Sequence, residues 1–333
     1  MRKVYSEQDE RRDPRLTLVS LAILAASILY LCFVGFENEF GGYAALVAIP
    51  ASIGALVTGA SDPVSPWPAW KILVIPTACI LGMVGLAWLA AAEGAICIAM
   101  ILPLWVPASI GGAIARALAD RHRRKRSEAA LHAVGWAVLP AVLLTFEWQH
   151  PPQWQVRTVS RSVLVNASRE RVWPMLVSIT NVRPEEGRSN PTQDILGVPR
   201  PTQARLLRQG SRLVRKAEWG PLVRFDEVIT DLRPNREIAW HFSFPDDSVQ
   251  RQTDRHVAPN GGMLNIMRGR YVLEALAPDT TRVTLQTTYR MRTRLPDYFG
   301  WWGERMLGDI QANVLAIVAE RSRSRLPVDQ GGS

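Results

Sequence analysis

The sequence predicts an α-helical membrane bundle followed by an α+β domain, in which a curved antiparallel sheet surrounds a long C-terminal helix. Three observations support this prediction. Five long apolar runs without Asp, Glu, Lys or Arg occupy most of the first 150 residues. Apolar and polar residues then alternate along the second half, as in half-buried strands. Finally, an apolar stripe at three- and four-residue spacing closes the chain, which is typical of an amphipathic helix.

The composition of the two halves differs, although the 333-residue chain as a whole has a net charge of +9 and a mean hydropathy of zero. Residues 1–150 carry 12 Lys+Arg against 11 Asp+Glu, whereas the remainder carries 27 against 19. All three cysteines, Cys32, Cys79 and Cys97, lie in apolar runs of the first part, so the second part can form no disulfide. The zero mean therefore averages a membrane part and a basic polar domain, which excludes two ordinary soluble domains.

The apolar runs predict membrane-spanning helices over residues 16–148. The first run, residues 16–36, would form about 31 Å of helix, which matches the hydrocarbon core of a bilayer. It is too long for a cleavable signal peptide, so we expect an uncleaved anchor. The fifth run is the shortest and contains His132 and Pro140, which leaves open that it lies along the membrane interface instead. The later runs are residues 41–60, 72–92, 95–114 and 129–146.

The distribution of basic residues predicts the orientation of the bundle. Lys and Arg are concentrated in residues 1–15 and 121–126, whereas the links at residues 37–39 and 93 are acidic. Because basic segments stay in the cytoplasm, the N-terminus is expected there. Five spans then place everything after Trp148 outside, which in a bacterium is the periplasmic side of the inner membrane. If residues 129–146 lie along the interface, the second half is cytoplasmic.

A short motif occurs twice in the membrane half. Residues 50–54 and residues 107–111 both read Pro-Ala-Ser-Ile-Gly. We interpret this as a duplicated helical hairpin, whose small residues would let the helix backbones approach closely. No charged residue lies in the middle of an apolar run, which argues against a pump or a coupled transporter.

Residues 156–325 are predicted to form the α+β domain, followed by a flexible tail at residues 326–333. A strand at 159–165 leads into a helix that begins after Asn166-Ala167-Ser168 and carries Val172, Trp173, Leu176 and Ile179 as its apolar stripe. Residues 182–203 hold four prolines and few apolar residues, so we expect a loop that acts as a lid or gate. The strands that follow are joined by turns, which favours an antiparallel meander.

Each later strand has an apolar face, and the last helix has a matching stripe. The strand faces comprise Val223, Phe225 and Ile229; Ile238, Trp240, Phe242 and Phe244; Met263, Met267, Tyr271 and Leu273; and Val283, Leu285, Thr287 and Tyr289. The stripe of the helix at residues 296–325 comprises Trp302, Met306, Ile310, Val314 and Ile317. Where the curved sheet and the helix do not touch, we expect an apolar cavity.

This order of elements resembles the SRPBCC or START-like superfamily, which includes the polyketide cyclase/dehydrase and lipid-transport group. The resemblance covers about residues 156–325, and the membrane half is not part of the common family pattern. The similar segments are residues 166–173, 225–229, 234–240, 269–274 and 280–284. The resemblance implies a helix-grip fold with a hydrophobic ligand cavity between the sheet and the terminal helix.

The predicted ligand site consists of the apolar residues that would converge inside the grip. Its candidates are Trp240, Phe242, Phe244, Met263, Met267, Tyr271, Tyr289, Trp302, Met306 and Ile310, with Glu227 and Arg270 as polar anchors. We assign no catalytic residue. His241 lies on the polar face of its strand and is interpreted as a surface residue. His256 and Asp254 form either a solvated loop pair or an acid–base dyad.

Several classes of site are not expected. The sequence has no phosphate-binding glycine loop, no G-x-S-x-G turn and no H-E-x-x-H helix. The second half has no cysteine, and its histidines are too dispersed for a metal site. We therefore expect no metal and no cofactor. The absence of a basic helix or of interleaved basic and aromatic residues argues against nucleic acid as a partner.

The leading hypothesis is a membrane-anchored START-like domain that binds a lipid or another apolar small molecule beside the bilayer. Membrane lipids and the ligand would be its partners, and a protein partner is unknown. One alternative is a cyclase, aromatase or hydrolytic enzyme that acts on an apolar substrate, which needs an acid–base residue inside the cavity. The other is a sensory or interaction module that regulates the membrane bundle. A core without a cavity between the sheet and the terminal helix would favour this second alternative.

Overall fold

The computed structural model describes residues 42–60, 68–89, 94–121, 126–253 and 258–324. The chain forms two compact units: the first comprises residues 1–90 and 101–151, and the second comprises residues 91–100 and 152–333. Several predicted features lie outside the described residues. They are the apolar run at 16–36, the basic N-terminus, the acidic links at 37–39 and 93, most of the basic loop at 121–126, the Asp254–His256 pair and the tail at 326–333.

The four apolar runs that lie among the described residues form helices. A π-helical turn, Ala44–Ala48, leads into α1 (Ile49–Ala60), and α2 (Ala69–Leu89), α3 (Ala95–Arg121) and α4 (Arg126–Gln149) follow. Among the described residues, Ala69–Leu89 and Ala95–Ala119 are long and apolar enough to cross a membrane. On α2 the large apolar side chains Leu86 and Leu89 are 69% and 80% exposed, as expected of a surface that faces lipid. These helices indicate membrane association, while the number of spans and their orientation stay predictions.

The repeated small-residue motifs pack against each other within the first unit. A Cβ atom on Gly54 would lie 1.9 Å from the carbonyl oxygen of Ser109, and one on Gly112 would lie 1.9 Å from that of Ala51. The side chains of Ser52 and Ser109 are fully buried. The predicted close approach of the helix backbones is therefore confirmed, and glycine is required at both contacts because no side chain fits.

A buried carboxylate joins two helix ends of the first unit. Glu147, near the end of α4, accepts hydrogen bonds from the backbone N–H groups of Tyr43 at 2.6 Å and Ala44 at 3.3 Å. These donors begin a helix and have no carbonyl partner within it. The contact brings the end of α4 beside the start of the segment that leads into α1. The predicted five-span arrangement places both ends on the same side of the membrane, and this contact is compatible with it.

The second unit contains seven strands and four helices among its residues 152–253 and 258–324. Their order is β1 (Gln155–Val165), α5 (Arg169–Val177), α6 (Pro191–Asp194), β2 (Pro201–Gln209), β3 (Arg212–Trp219), β4 (Val223–Arg233), β5 (Glu237–Ser243), α7 (Ser248–Thr253), β6 (Leu264–Ala277), β7 (Thr280–Met291) and α8 (Pro296–Ser324). The strands form one curved antiparallel sheet in the order β1-β7-β6-β5-β4-β3-β2. Helix α8 packs mainly on β1, with further contacts to β7, α5 and α6. The resemblance implied this arrangement, a curved antiparallel sheet with a long C-terminal helix packed on it.

The core lies between the sheet and α8, and its residues follow the predicted alternation. Ile238 and Trp240 of β5 are buried together with Val283 and Leu285 of β7. Leu315 of α8 and Val172 of α5 close this core from the other side. The predicted inner faces of β5 and β7 and the terminal helix are thus confirmed. We call the face of the sheet on which α8 packs the inner face.

One part of the sheet was missed, and two local predictions are wrong. Strands β2 and β3 were not predicted, because edge strand β2 buries only Ala204 and therefore lacks an apolar face. The expected loop at 182–203 accordingly ends at β2 and contains the short helix α6. The first helix ends at Val177, so Ile179 does not extend its stripe but pairs with Ala204 in a β-bridge.

The predicted inner face of β6 is also wrong at its start. Ile266 pairs with Tyr289 and Arg268 pairs with Thr288, so Met267 is an extra residue in a β-bulge. A bulge reverses the alternation, and Leu264 and Ile266 therefore pack beside Tyr289 on the inner face. Met263 precedes the strand. Neither Met263 nor Met267 belongs to an apolar cluster of the described residues.

Candidate functional site

Four aromatic side chains, three from β3, β4 and β5 and one from the residue after β5, form a continuous surface on the inner face of the sheet. Ring centroids lie 5.5 Å apart for Trp219 and Phe225, 5.9 Å for Phe225 and Phe242, and 6.2 Å for Phe242 and Phe244. Phe225 is buried, and the other three rings are half-buried. We call these four residues the aromatic wall. Helix α8 packs mainly on β1, at the opposite edge of the sheet, so its main contact does not cover the wall.

An apolar stripe on α8 borders the aromatic wall. Trp302, Met306 and Ile310 follow one another at four-residue spacing, so they lie on one side of the helix, and all three are half-buried. We call them the helix stripe. The cluster around the stripe comprises Ile96, Met100, Leu196, Val198, Trp219, Phe299, Trp302, Met306 and Ile310. Because Trp219 belongs to the aromatic wall and also packs in this cluster, the wall and the stripe line one apolar region.

A buried ion pair lies next to this region. The side chains of Arg215 and Glu227 are only 7% and 6% exposed. Arg215 Nε donates a hydrogen bond to Glu227 Oε2, and Nη1 donates to the carbonyl oxygen of Leu176. The guanidinium carbon lies 5.2 Å from the ring centroid of Trp240 and 5.5 Å from that of Tyr271. The cation is therefore held by a carboxylate, a helix-end carbonyl and two aromatic faces.

The electrostatics of the pair follow from its burial. Burial raises the pKa of the Glu227 carboxyl, and the charge of Arg215 opposes this effect. For Arg215, burial acts to lower the pKa, but the attraction of Glu227 outweighs it and raises the pKa. Burial likewise raises the pKa of the Tyr271 phenol. The domain thus contains a charged pair whose two members depend on each other inside a low-dielectric core.

The structure brings together most of the predicted site residues, but not all. Trp240, Phe242, Phe244, Tyr271 and Glu227 lie on the inner face of β4–β6 near the aromatic wall. Trp302, Met306 and Ile310 form the helix stripe. Tyr289 lies in a separate cluster with Val159 and Met291, where α8 packs on β1 and β7. Its hydroxyl is buried and has no hydrogen-bond partner among the described residues.

Arg270 is not a polar anchor of the inner face. Its side chain is 50% exposed and donates a hydrogen bond to Gln286 Oε1 at 2.6 Å on the outer face of the sheet. The reason is the strand alternation, because Gly269 and Tyr271 occupy the inner positions on either side. His241 is exposed on the same outer face, which confirms its interpretation as a surface residue.

Sequence analysis missed two residues of the site, Arg215 and Trp219, because it did not predict β3. One signal was present. Arg215, Ala217 and Trp219 alternate after the turn signal Gln209-Gly210-Ser211, in which Gly210 has a φ of +60°. The arginine at an inner position hides this pattern, since a buried charge reads as a polar surface residue.

The segment between α5 and β2, residues 182–200, is fixed to α8 by hydrogen bonds, and we call it the strap. Asn313 of α8 is fully buried; its Oδ1 accepts from the Arg188 N–H at 2.6 Å and its Nδ2 donates to Gln193 Oε1 at 2.7 Å. Thr192 donates to Asp309 at 2.7 Å. This anchoring argues against the predicted lid or gate at residues 182–203.

A second set of contacts fixes the ends of the strap. Arg321 of α8 forms a two-pronged ion pair with the carboxylate of Glu186, at 2.5 and 2.9 Å. It also donates to the carbonyl oxygens of Thr180 and Asn181. At the other end, Arg200 donates to Asp194 at 2.6 Å. The strap therefore depends on carboxylates that are charged in the folded protein.

We expect acid to destabilise the second unit through these carboxylates. Hydrogen bonds from Arg321 lower the pKa of Glu186 to about 2, and hydrogen bonds from Ser189 and Arg200 lower the pKa of Asp194 to about 2. Unfolding returns both to their ordinary values near 4, so their stabilisation is present above about pH 5 and is lost as the pH falls toward about 2. The thermal unfolding midpoint of the full chain should fall over this range.

The variant Arg321→Gln tests this explanation. At pH 7 it should cost about 1.5–3 kcal/mol, because hydrogen bonds to a charged group are lost. It should also make the midpoint less dependent on pH, since Glu186 would then titrate nearer its ordinary value. Arg323→Gln changes an exposed residue of the same helix and serves as the control. Equal acid sensitivity of the two variants would contradict the assignment.

Comparison with known proteins finds similarity only in solved structures. No family model matches the sequence, and no curated protein does. The Zhui aromatase/cyclase of a Streptomyces species is 18% identical with a TM-score of 0.34, over 54% of this chain and 100% of that chain. A START superfamily protein of Mycobacterium smegmatis is 16% identical with a TM-score of 0.32, over 50% and 97%. Norcoclaurine synthase of Thalictrum flavum is 9% identical with a TM-score of 0.32, over 52% and 90%. Each of these three structures matches about half of this chain, and the similarity transfers no activity.

Proposed function

We propose that the second unit binds a lipid or another apolar small molecule between the aromatic wall and the helix stripe, while the apolar helices hold the chain at a membrane. The observation that carries this proposal is the half-buried state of Trp219, Phe242 and Phe244 opposite the half-buried helix stripe. In a domain that has a separate, fully buried core, large apolar side chains that remain partly accessible along one region are available to a ligand.

The chemistry of the region favours a mainly apolar ligand. Burying about 300 Å² of apolar ligand surface would contribute roughly 7 kcal/mol before the costs of association are subtracted. Aromatic rings offer flat faces, and Met306 adapts its shape to different occupants. The two charges nearest the region, those of Arg215 and Glu227, already satisfy each other. The region thus has little to offer a ligand that carries several charges.

The membrane setting supports the same class of ligand. Two described helices have the length and composition of membrane spans. An apolar molecule that is dissolved in the bilayer is poorly soluble in water, so a protein that remains at the membrane can take it up without a long aqueous step. We infer that membrane lipids are the source of the ligand.

Photocrosslinking of the full-length chain in lipid nanodiscs tests the proposal. A phospholipid with a diazirine in its acyl chain is activated, and the modified peptides are mapped by mass spectrometry. We expect modification of peptides from β3, β5 and α8, in addition to the apolar helices. Excess unlabelled lipid should compete with this modification.

Two matched variants, one directly after β5 and one within it, make the test specific. Phe244→Asp places a charge in the aromatic wall and should reduce crosslinking of β3 and α8 at least about tenfold, because burying an unpaired carboxylate costs more than 1.4 kcal/mol. His241→Asp introduces the same residue on the outer face of β5 and should leave crosslinking unchanged. Equal crosslinking in both variants, or crosslinks confined to the apolar helices, would contradict lipid binding in this region.

An enzymatic role remains the second candidate because of one observation. Glu227 is a buried carboxyl next to the aromatic wall, and burial raises its pKa, as in general acids. His241 and Arg270 lie on the outer face and cannot act there. If the protein turns over an apolar substrate, Glu227→Gln should abolish turnover of a crosslinkable substrate analogue without abolishing its binding.

A further inference from the structure

Three of the exposed large apolar side chains of the second unit lie on elements that border the apolar region of the aromatic wall and the helix stripe. Ile195 is 74% exposed, Leu222 is 58% exposed and Trp301 is 54% exposed. Single exposed apolar residues are common on soluble proteins and need no explanation. These three, however, come from three different elements: the strap, the turn between β3 and β4, and the first turns of α8.

The contacts between these elements place the three side chains around one edge of the apolar region. Leu196, next to Ile195, packs in the cluster that contains Trp219 and Trp302. The turn that carries Leu222 is joined to the strap by the hydrogen bond from Gly220 N to the Arg200 oxygen at 2.8 Å. The ring of Trp301 lies 5.0 Å from that of Trp302. We call Ile195, Leu222 and Trp301 the apolar rim.

Basic side chains accompany the apolar rim. The guanidinium of Arg305 lies 5.9 Å from the ring centroid of Trp301, and both residues are exposed. Arg224 is exposed two residues after Leu222. Tryptophan together with arginine, beside exposed aliphatic residues, is typical of surfaces that lie in the headgroup region of a bilayer, where rings bury their apolar part and cations meet phosphates.

We propose that the apolar rim inserts into the surface of the bilayer, so that the region between the aromatic wall and the helix stripe opens toward the lipid phase. The bilayer is the occupant that the rest of the chain favours. The same chain contains two helices with the properties of spans. In addition, α4 ends at Gln149 and β1 begins at Gln155, so a link of about 20 Å at most connects the sheet to the predicted last span.

The proposal rests on the proposed function only in assuming that the molecule that moves past the rim is a lipid. Insertion of the rim into the bilayer is a separate property. Insertion would explain why these three large apolar side chains face outward, which the fold does not require, since none of them contributes to the buried core. It also gives the fixed strap a role. Because hydrogen bonds to α8 hold it, the strap can present Ile195 at a constant position relative to Trp301.

Fluorescence quenching in nanodiscs tests the insertion directly. The native cysteines Cys32, Cys79 and Cys97 are replaced by alanine in the full-length chain, and the variants Ile195→Cys and Leu222→Cys are labelled with an environment-sensitive fluorophore. Leu164→Cys is the matched control, because Leu164 is 52% exposed on the outer face of β1. Lipids with a nitroxide near the top of the acyl chain serve as the quencher.

We expect the labels at residues 195 and 222 to be quenched at least about threefold more than the label at residue 164, since an inserted side chain reaches about 5–10 Å into the boundary between headgroups and acyl chains. Quenching no greater than at residue 164 would overturn the proposal. Shielding of both labels from a water-soluble quencher without nitroxide quenching would also overturn it, because a protein partner would then cover the rim.

A double variant separates this proposal from the proposed function. Ile195→Glu with Leu222→Glu should slow the transfer of a fluorescent lipid from donor vesicles to the protein at least about tenfold, because charged side chains insert poorly. Crosslinking of the aromatic wall by lipid supplied in detergent should be unchanged. If lipid does not crosslink to the aromatic wall of the wild type, the proposed function alone is refuted. If the double variant takes up lipid from vesicles as fast as the wild type, insertion alone is refuted.

Discussion

Replacing Arg215 with methionine is expected to destabilise the second unit by about 3–5 kcal/mol, more than any other single substitution considered for this protein. The substitution keeps most of the apolar volume of the side chain. What it removes is the positive charge beside Glu227 and the donor to the Leu176 carbonyl, both of which are buried. The large cost arises because Glu227 is left charged and unpaired, or must bind a proton.

The pH dependence of the variant identifies this cause. Without Arg215, burial alone acts on Glu227 and raises its pKa in the folded state further above the unfolded value near 4.5. An acid whose pKa is raised by folding stabilises the folded state below the unfolded pKa and loses this contribution as the pH rises. The destabilisation by Arg215→Met should therefore be larger at pH 8 than at pH 5.

A double variant supplies the control. Arg215→Met combined with Glu227→Leu removes both charges and should recover most of the lost stability, since well-packed apolar residues replace a buried pair at little cost. The measurement is the unfolding midpoint of the full chain in detergent, followed by tryptophan fluorescence at both pH values. If the single and the double variant are equally unstable, and neither depends on pH, the contribution of Arg215 is packing and not charge.

The same ion pair explains why part of the site could not be predicted from the sequence. The faces of β5 and β7 were predicted because their inner residues, such as Trp240 and Leu285, alternate with polar ones. Strand β3 has Arg215 at an inner position, so its alternation is broken by the very residue that matters. Periodicity detects burial only where buried residues are apolar.

Two further differences between prediction and structure have similar physical causes. The bulge at Met267 adds one residue to β6, and no local property of the sequence marks the point at which the alternation reverses. The strap reads as an exposed loop because it is polar and rich in proline. Its hydrogen-bond partners, Asn313 and Arg321, lie more than 100 residues away in the chain, where no local pattern connects them to it.

Asn313→Leu is expected to destabilise the second unit by about 2–4 kcal/mol and to release the strap. Leucine has nearly the same shape as asparagine, but it offers neither the acceptor for the Arg188 N–H nor the donor for Gln193 Oε1. Each polar group that is left buried without a partner costs about 1–3 kcal/mol. The Arg188 N–H and Gln193 lose these partners directly, so the loss should appear in the strap first.

Limited proteolysis shows whether the release is local. Trypsin cleaves after arginine unless proline follows, so Arg188, which precedes Ser189, is the site in the strap that should become cleavable in Asn313→Leu before the rest of the unit unfolds. Arg323→Ala, an exposed change on the same helix, should stay within about 0.5 kcal/mol of the wild type and resist cleavage.

The close approach of Gly187 to Asn313 sharpens the expectation. Gly187 has a φ of +88°, and a Cβ atom at this position would lie 2.2 Å from Asn313 Oδ1, so the strap backbone lies directly on the asparagine amide. Leucine has no oxygen at this place and presents a methyl group to the backbone N–H of Arg188, which needs an acceptor. A strap that remains resistant to trypsin in Asn313→Leu would mean that Arg321 and the ion pair with Glu186 hold it alone. In that case the double variant Asn313→Leu with Arg321→Gln should be no more sensitive than Arg321→Gln.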